Sequence, residues 1–255
     1  MRFGIVPFVN MAPYYHFLSD RWLQEHQVSS GTPRQLGVQA KAGRLDVAPF
    51  SYVDGLELVR SGEFEWLGSM GICGQGPIQS ILLVGATHAV DLAGREISVT
   101  PQTATTVRLM EVWLRQRHKV TDYRLVEPAS PTPFRLVIGD EALRRRLEYA
   151  GCEPQIDLCE EWGAWTGKPF VFARWAIRAS LPSRDKLRMA ATVRSGLDLA
   201  LGDLEDVSRA QEERCGLPKA SILAYLKGIR FALGPQELAG AQEFEDRLER
   251  LHAES

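Results

Sequence analysis

Small hydroxyl residues gather where strand-like runs give way to loops or helices. Ser51 closes Val47-Ala-Pro-Phe, Ser80 follows Gly76-Pro-Ile-Gln, and Thr103, Thr105 and Thr106 open a helix after Ile97-Ser-Val-Thr. In open α/β sheets, ligands bind beyond the carboxyl ends of strands. Free N–H groups at a helix N-terminus, with hydroxyls beside them, attract carboxylates. The three clusters together suit a small dianion held by neutral donors. Taken singly, each serine or threonine serves as well for a helix cap.

Other chemistries lack their residues. Gly71-Ile-Cys-Gly-Gln-Gly76 has the glycine spacing of a phosphate-binding loop, but Pro77 and Ile78 replace the Lys and Ser/Thr that would reach phosphate and magnesium. Gln79 stands where a dinucleotide fingerprint needs its third glycine. No Gly-x-Ser-x-Gly elbow is present. The cysteines Cys73, Cys152, Cys159 and Cys215 form no Cys-x-x-Cys pair and read as buried, reduced thiols. His16, His26, His88, His118 and His252 are scattered and read as solvated positions. The sequence offers no metal site and no cofactor site.

These residues need elements to position them. Phe3–Val9 reads as a first buried strand. Tyr14–Glu25 reads as a helix, with Tyr14, Phe17, Leu18 and Trp22 at helical spacing. A helix over Gln35–Gly43 precedes a strand Leu45–Phe50, and Ser51 or Asp54 caps the helix that follows. Trp66–Cys73 and Ile78–Val84 are strand-like. A second block follows: strand Glu96–Val99, helix Thr103–Arg117, strands Tyr123–Val126 and Arg135–Ile138, and helix Asp140–Ala150. Strand Ile156–Leu158 and helix Glu160–Thr166 complete it, and the apolar run Phe170–Ile177 returns the chain towards the first block. From Arg184 the pattern is entirely helical, over 184–201, 204–214, 218–230 and 235–252. The alternation predicts an α/β protein with mostly parallel sheets, its helical tail packed on the first block. Phe50 and Tyr52 are candidates to wall a ring-shaped substrate. Phe172 and Trp175 read as core.

Composition narrows the partners. The 255 residues carry 30 Lys+Arg against 32 Asp+Glu, a net charge of −2, which argues against non-specific nucleic-acid binding. No apolar stretch approaches the ~20 residues of a membrane helix. Pro7 and Asn10 interrupt the N-terminal apolar run, so no secretory signal is expected and the protein is expected to be cytoplasmic.

Five stretches stand in series along the chain. They are Phe8-Val-Asn-Met-Ala-Pro13, Gly43-Arg-Leu-Asp-Val-Ala-Pro-Phe-Ser51, Gly76-Pro-Ile-Gln-Ser80, Ile138-Gly-Asp-Glu-Ala-Leu143, and Glu161-Trp-x-x-x-Thr-Gly-x-Pro-Phe-Val-Phe-Ala173. The series resembles the menaquinone-biosynthesis enzymes of the futalosine pathway and covers essentially the whole chain. The resemblance implies a two-lobed fold like the type II periplasmic binding proteins, with a central cleft and a helical C-terminal segment. Residues 1–84 plus 175–255 would form one lobe and 85–174 the other, with hinges near Leu82–Val84 and Val171–Trp175. The implied activity is that of a carbon–oxygen lyase that converts chorismate to 3-[(1-carboxyvinyl)oxy]benzoate plus water, with no cofactor. The related lyase that forms 1,4-dihydroxy-6-naphthoate has a His-Glu pair after the corresponding second-lobe strand. Here Leu136-Val-Ile ends in Gly139-Asp140-Glu141, which favours dehydration. The opening Phe-Val-Asn departs from the commoner Tyr-Leu-Asn but keeps the asparagine.

The resemblance makes Asn10 and Ser80 the catalytic or orienting candidates. Ser51, Thr105, Thr106, Gly139 and Asp140 are the substrate-binding candidates, with a helix-capping role open for Asp140. Asp140 could also be a base, but none of these residues is an obvious strong one, so the expected base is the enolpyruvyl carboxylate of chorismate itself. Two other readings stay open. A solute-binding protein would need export or an anchor. A ligand-sensing domain would need a DNA-binding module, yet residues 184–255 hold 11 basic and 13 acidic side chains. The oligomeric state has no signature in the sequence.

Overall fold

The computed structural model describes residues 1–149 and 151–253. Ala150, the expected end of the 140–150 helix, and Glu254 and Ser255 of the expected C-terminal segment lie outside the described residues. The chain divides into two units. Unit 1 comprises Met1–Ile72 and Phe172–Leu233, and unit 2 comprises Cys73–Val171 and Gly234–Ser255.

Unit 1 begins with β1 (Arg2–Ile5), a 3-10 turn (Val9–Met11), α1 (Ala12–Tyr15) and α2 (Asp20–Gln24). It continues through β2 (Gln27–Ser30), α3 (Pro33–Lys41), β3 (Val47–Ser51), α4 (Tyr52–Arg60) and β4 (Phe64–Gly74). The expected single helix over 14–25 is two short ones, because Ser19 caps α2 by accepting the Trp22 N–H at 3.2 Å. Thr32 and Gln35 form a capping box for α3, with Pro33 in its first turn. β2 escapes the sequence pattern because it is a polar strand at the sheet edge.

Unit 2 begins with β5 (Ile81–Val84), a 3-10 turn (Ala89–Leu92), β6 (Arg95–Val99) and α5 (Thr105–Val112), which continues as a π-helical turn over Trp113–Arg117. Then come β7 (Tyr123–Val126), β8 (Arg135–Ile138), α6 (Gly139–Glu148), β9 (Gln155–Asp157) and α7 (Leu158–Thr166). The strand β10 (Phe170–Arg178) returns the chain to unit 1, where α8 (Ser183–Gly202), α9 (Leu204–Cys215), α10 (Lys219–Gly228) and β11 (Arg230–Ala232) follow. The last helix, α11 (Pro235–Ala253), belongs to unit 2.

One sheet has the order β11-β4-β10-β3-β1-β2 and the other β7-β6-β8-β5-β9. β1 runs parallel to β2 and β3, and β6 parallel to β7 and β8. Against the expectation of mostly parallel sheets, β10 is antiparallel to β3, and β5 to both β8 and β9. β5 and β10 each enter their sheet from the other unit. No crossover helix within the sheet therefore fixes their direction.

Three further expectations change. The boundary drawn at Val84 lies instead at Ile72, because β5 pairs with β8 and β9 and so carries Ser80 into unit 2. The tail is not entirely helical: β11 is a three-residue strand, too short to show a period. Nor does the whole tail join the first block, because Phe244 of α11 packs edge-on against Phe170 at 4.8 Å and Trp162 at 5.9 Å. In unit 1 the fully buried Trp175 ring lies 5.6 Å from Phe3 and 5.3 Å from Tyr14. Cutting such an aromatic to Ala costs about 3–5 kcal/mol.

Candidate functional site

In unit 1, two candidates stand at the carboxyl ends of adjacent parallel strands. Asn10 sits in the 3-10 turn after β1, between Val9 and Met11, whose burial anchors the turn. Its carboxamide oxygen is buried without a hydrogen-bond partner. Ser51 ends β3 and occupies the N-cap position of α4, yet its side chain makes no cap bond. Its hydroxyl donates to Asp54 Oδ2 at 2.7 Å. Ser51 therefore has only acceptor lone pairs to offer a ligand.

Burial pushes the Asp54 carboxyl above the usual range, and the Ser51 hydrogen bond only partly offsets that. A carboxyl raised in this way adds stability below its unfolded pKa, and that stability is lost as pH rises through the folded value. Asp54→Asn keeps an acceptor for Ser51 and removes the loss. Thermal melts from about pH 4 to pH 8 should show the variant gaining on the wild type as pH rises. Parallel curves would exclude Asp54 as the cause.

In unit 2, one edge of the sheet collects the other five candidates. The end of β6 leads to Thr105 and Thr106, the end of β8 to Gly139 and Asp140, and the start of β5 follows Ser80. Ile81 pairs with Ile138, and Leu82 with Asp157 at the end of β9. Three helices, α5, α6 and α7, therefore begin at the same end of this sheet as Ser80, and their N-terminal dipoles favour negative charge. The Ser80 carbonyl accepts the Gly139 N–H at 2.8 Å. Thr105 and Thr106 are buried, and neither caps α5: the N-cap is Ala104, without a side-chain cap bond. Asp140 is not the cap of α6 either. That position is Ile138, and Asp140 lies in the first turn, where a carboxylate suits the dipole. Beside this edge, a cavity of about 270 Å³ is lined by Thr100, Gln102, Arg135 and Glu141 among others.

Gly139 has φ of 61°, a conformation that leaves no room for a side chain without strain. Gly139→Ala is expected to cost about 1–2 kcal/mol. Denaturant melts check this, and an unchanged midpoint would mean that the turn relaxes freely.

Sequence reasoning missed Gln79 and Asp157. Gln79 has a left-handed backbone, with φ of 62°. Its N–H donates to the buried Asp157 Oδ2 at 2.7 Å. Asp157 also caps α7, a role that its position before Cys159-Glu160-Glu161 could have signalled. The aromatic-wall expectation needs correction. Phe50 and Tyr52 are buried, Phe50 edge-on to Phe64 at 5.6 Å and Tyr52 stacked on Trp66 at 5.8 Å. Of the cysteines, Cys73 and Cys159 are buried, but Cys152 is exposed. His16 is not simply solvated, because it pairs with Asp206 at 2.8 Å. Among the described residues no three His, Cys, Asp or Glu gather as a metal site, and no helix is long and apolar enough to cross a membrane.

Comparison with known proteins adds to this geometry. A family model described as menaquinone biosynthesis matches residues 1–250. A chorismate dehydratase of Thermus thermophilus is 26% identical, over 96% of this chain and 94% of that one. A chorismate dehydratase of Campylobacter jejuni is 28% identical over 69% of this chain and 67% of that one. The fold is that of the periplasmic binding proteins, in line with the sequence expectation. Among similar structures is the alkanesulfonate-binding protein SsuA from Xanthomonas axonopodis pv. citri bound to MOPS. It has a TM-score of 0.70 at 14% identity, over 98% of this chain and 92% of that one.

Proposed function

The chain belongs to the menaquinone-biosynthesis family, and on that premise we propose that it is a chorismate dehydratase. It eliminates water from chorismate and leaves 3-[(1-carboxyvinyl)oxy]benzoate. The observation that carries this reading is the end-to-end likeness to the Thermus enzyme, over 96% of this chain. A cytoplasmic location goes with it.

The reaction removes the ring proton beside the enol-ether oxygen and the neighbouring hydroxyl, which leaves as water once it has gained a proton. The first proton is vinylogous to the ring carboxylate, so its loss drives charge onto that group. Donors placed around the carboxylate stabilise the dienolate as it forms. The sheet edge of unit 2 supports this role, with Thr105, Thr106 and the starts of α5 and α6 near Gly139 and Asp140. Ser80 orients the reacting ring here, and Asn10 and Ser51 are the candidates at the strand ends of unit 1. The enolpyruvyl carboxylate, held in reach by the protein, takes the adjacent proton and gives it up to the departing hydroxyl, so the proton removed leaves with the water.

Incubation of the pure protein with chorismate, followed by mass analysis, should show loss of one water. Tight binding without loss would overturn the reading in favour of a binding protein, which the likeness to an alkanesulfonate-binding protein makes the second candidate. An analogue lacking the enolpyruvyl carboxylate should bind and stay intact. Its normal turnover would overturn substrate assistance.

A further inference from the structure

Ser80 is approached through a turn that its own sequence does not favour. Gln79 holds φ of 62°, a region that glycine enters freely and a residue with a Cβ does not. Two hydrogen bonds fix the place. The Gln79 N–H donates to Asp157 Oδ2 at 2.7 Å, and the Gly139 N–H donates to the Ser80 carbonyl at 2.8 Å. The other Asp157 oxygen, Oδ1, accepts from Cys159 N at 3.0 Å and Glu160 N at 3.2 Å. A helix cap needs only that one oxygen, and Asn or Ser would serve equally well. The second oxygen is what a carboxylate adds. An asparagine whose oxygen kept the cap would set its own N–H against that of Gln79.

We propose that Asp157 is a positioning residue for the reaction at Ser80: its two oxygens clamp the left-handed Gln79 turn to the start of α7 and so set where the Ser80 side chain points. This rests on the reading of Ser80 as a site residue. Three hydrogen bonds meet at one buried carboxylate beside one strained residue, and a fourth holds the Ser80 carbonyl. Strain of this kind persists where the surroundings hold it, and it concentrates at functional sites.

The test compares the full chain with Asp157→Asn and with the double variant Asp157→Asn/Gln79→Gly. In Asp157→Asn, hydrogen exchange at the Gln79 amide should rise by about tenfold or more. Its kcat on chorismate should fall by about tenfold to a hundredfold, with KM held within about threefold. Glycine at position 79 adopts the turn unaided, so the double variant should regain at least about threefold of the lost kcat. Unchanged exchange at Gln79, unchanged kcat, or a loss that Gln79→Gly does not relieve would overturn the clamp. Ser80→Ala serves as the reference for a lost site residue. A wild-type chain that leaves chorismate intact overturns the assigned function and the clamp's role with it. An active wild type that loses activity in Ser80→Ala but not in Asp157→Asn overturns the clamp alone.

Discussion

Asn10→Ala is expected to lower kcat for chorismate dehydration by about a hundredfold to a thousandfold, while the thermal midpoint holds or rises. The two halves of this expectation come from one observation. The Asn10 carboxamide oxygen is buried with no hydrogen-bond partner. A desolvated, unpaired acceptor costs a folded protein about 1–3 kcal/mol. An asparagine kept for the turn alone would aim that oxygen at a backbone N–H. Alanine removes the cost along with the group. Stability gained as activity is lost marks a group held ready for a ligand. Activity within about threefold of wild type would sink the assignment, as would a fall in midpoint that accounts for the activity lost.

The largest effect on stability is expected from Gly240→Ala, at about 3–5 kcal/mol. A Cβ at this position would lie 2.0 Å from the Pro169 carbonyl oxygen. Both partners are backbone, so neither can swing aside. The same oxygen accepts the Trp162 indole N–H at 3.2 Å, and any retreat of the Pro169 segment would break that bond too. Phe244 and the Lys168–Glu243 ion pair, at 2.6 Å, hold α11 at this distance. Gly202→Ala is the control, because nothing lies within 4 Å of a Cβ there. Its effect should stay within about 1 kcal/mol. Equal denaturant midpoints for the two variants would mean that α11 does not pack against Pro169 as described.

Much of the candidate site was legible because its signals are local. Strand ends, glycines and hydroxyls are adjacent in sequence, and the five motif stretches fall in order along the chain. The positions of Thr105 and Gly139 at helix starts followed from apolar runs and their punctuation alone, whereas the run Ile78–Val84 enclosed Ser80, which the structure leaves just before β5. The dual use of Asp157 was not legible. Its partner Gln79 lies 78 residues earlier, and no pattern around either residue names the other. Ser51 and Asp54 are only three residues apart, and by sequence either could cap α4. That the hydroxyl would donate to the carboxylate rather than accept from the helix depended on burial of the pair.

The sequence by itself determined the α/β alternation, most element boundaries to within a few residues and the family, and it proposed the short list of candidate site residues. These follow from periodicity, capping chemistry and motif order, all of which act over a few neighbouring residues. The tertiary structure decided which unit owns Ser80 and α11, the reversed direction of β5 and β10, the core placement of Phe50 and Tyr52, and the unpaired oxygen of Asn10. Each of these depends on which distant segment supplies the hydrogen-bond partner or the apolar surface. That choice is made by packing the whole chain at once, which local sequence does not encode.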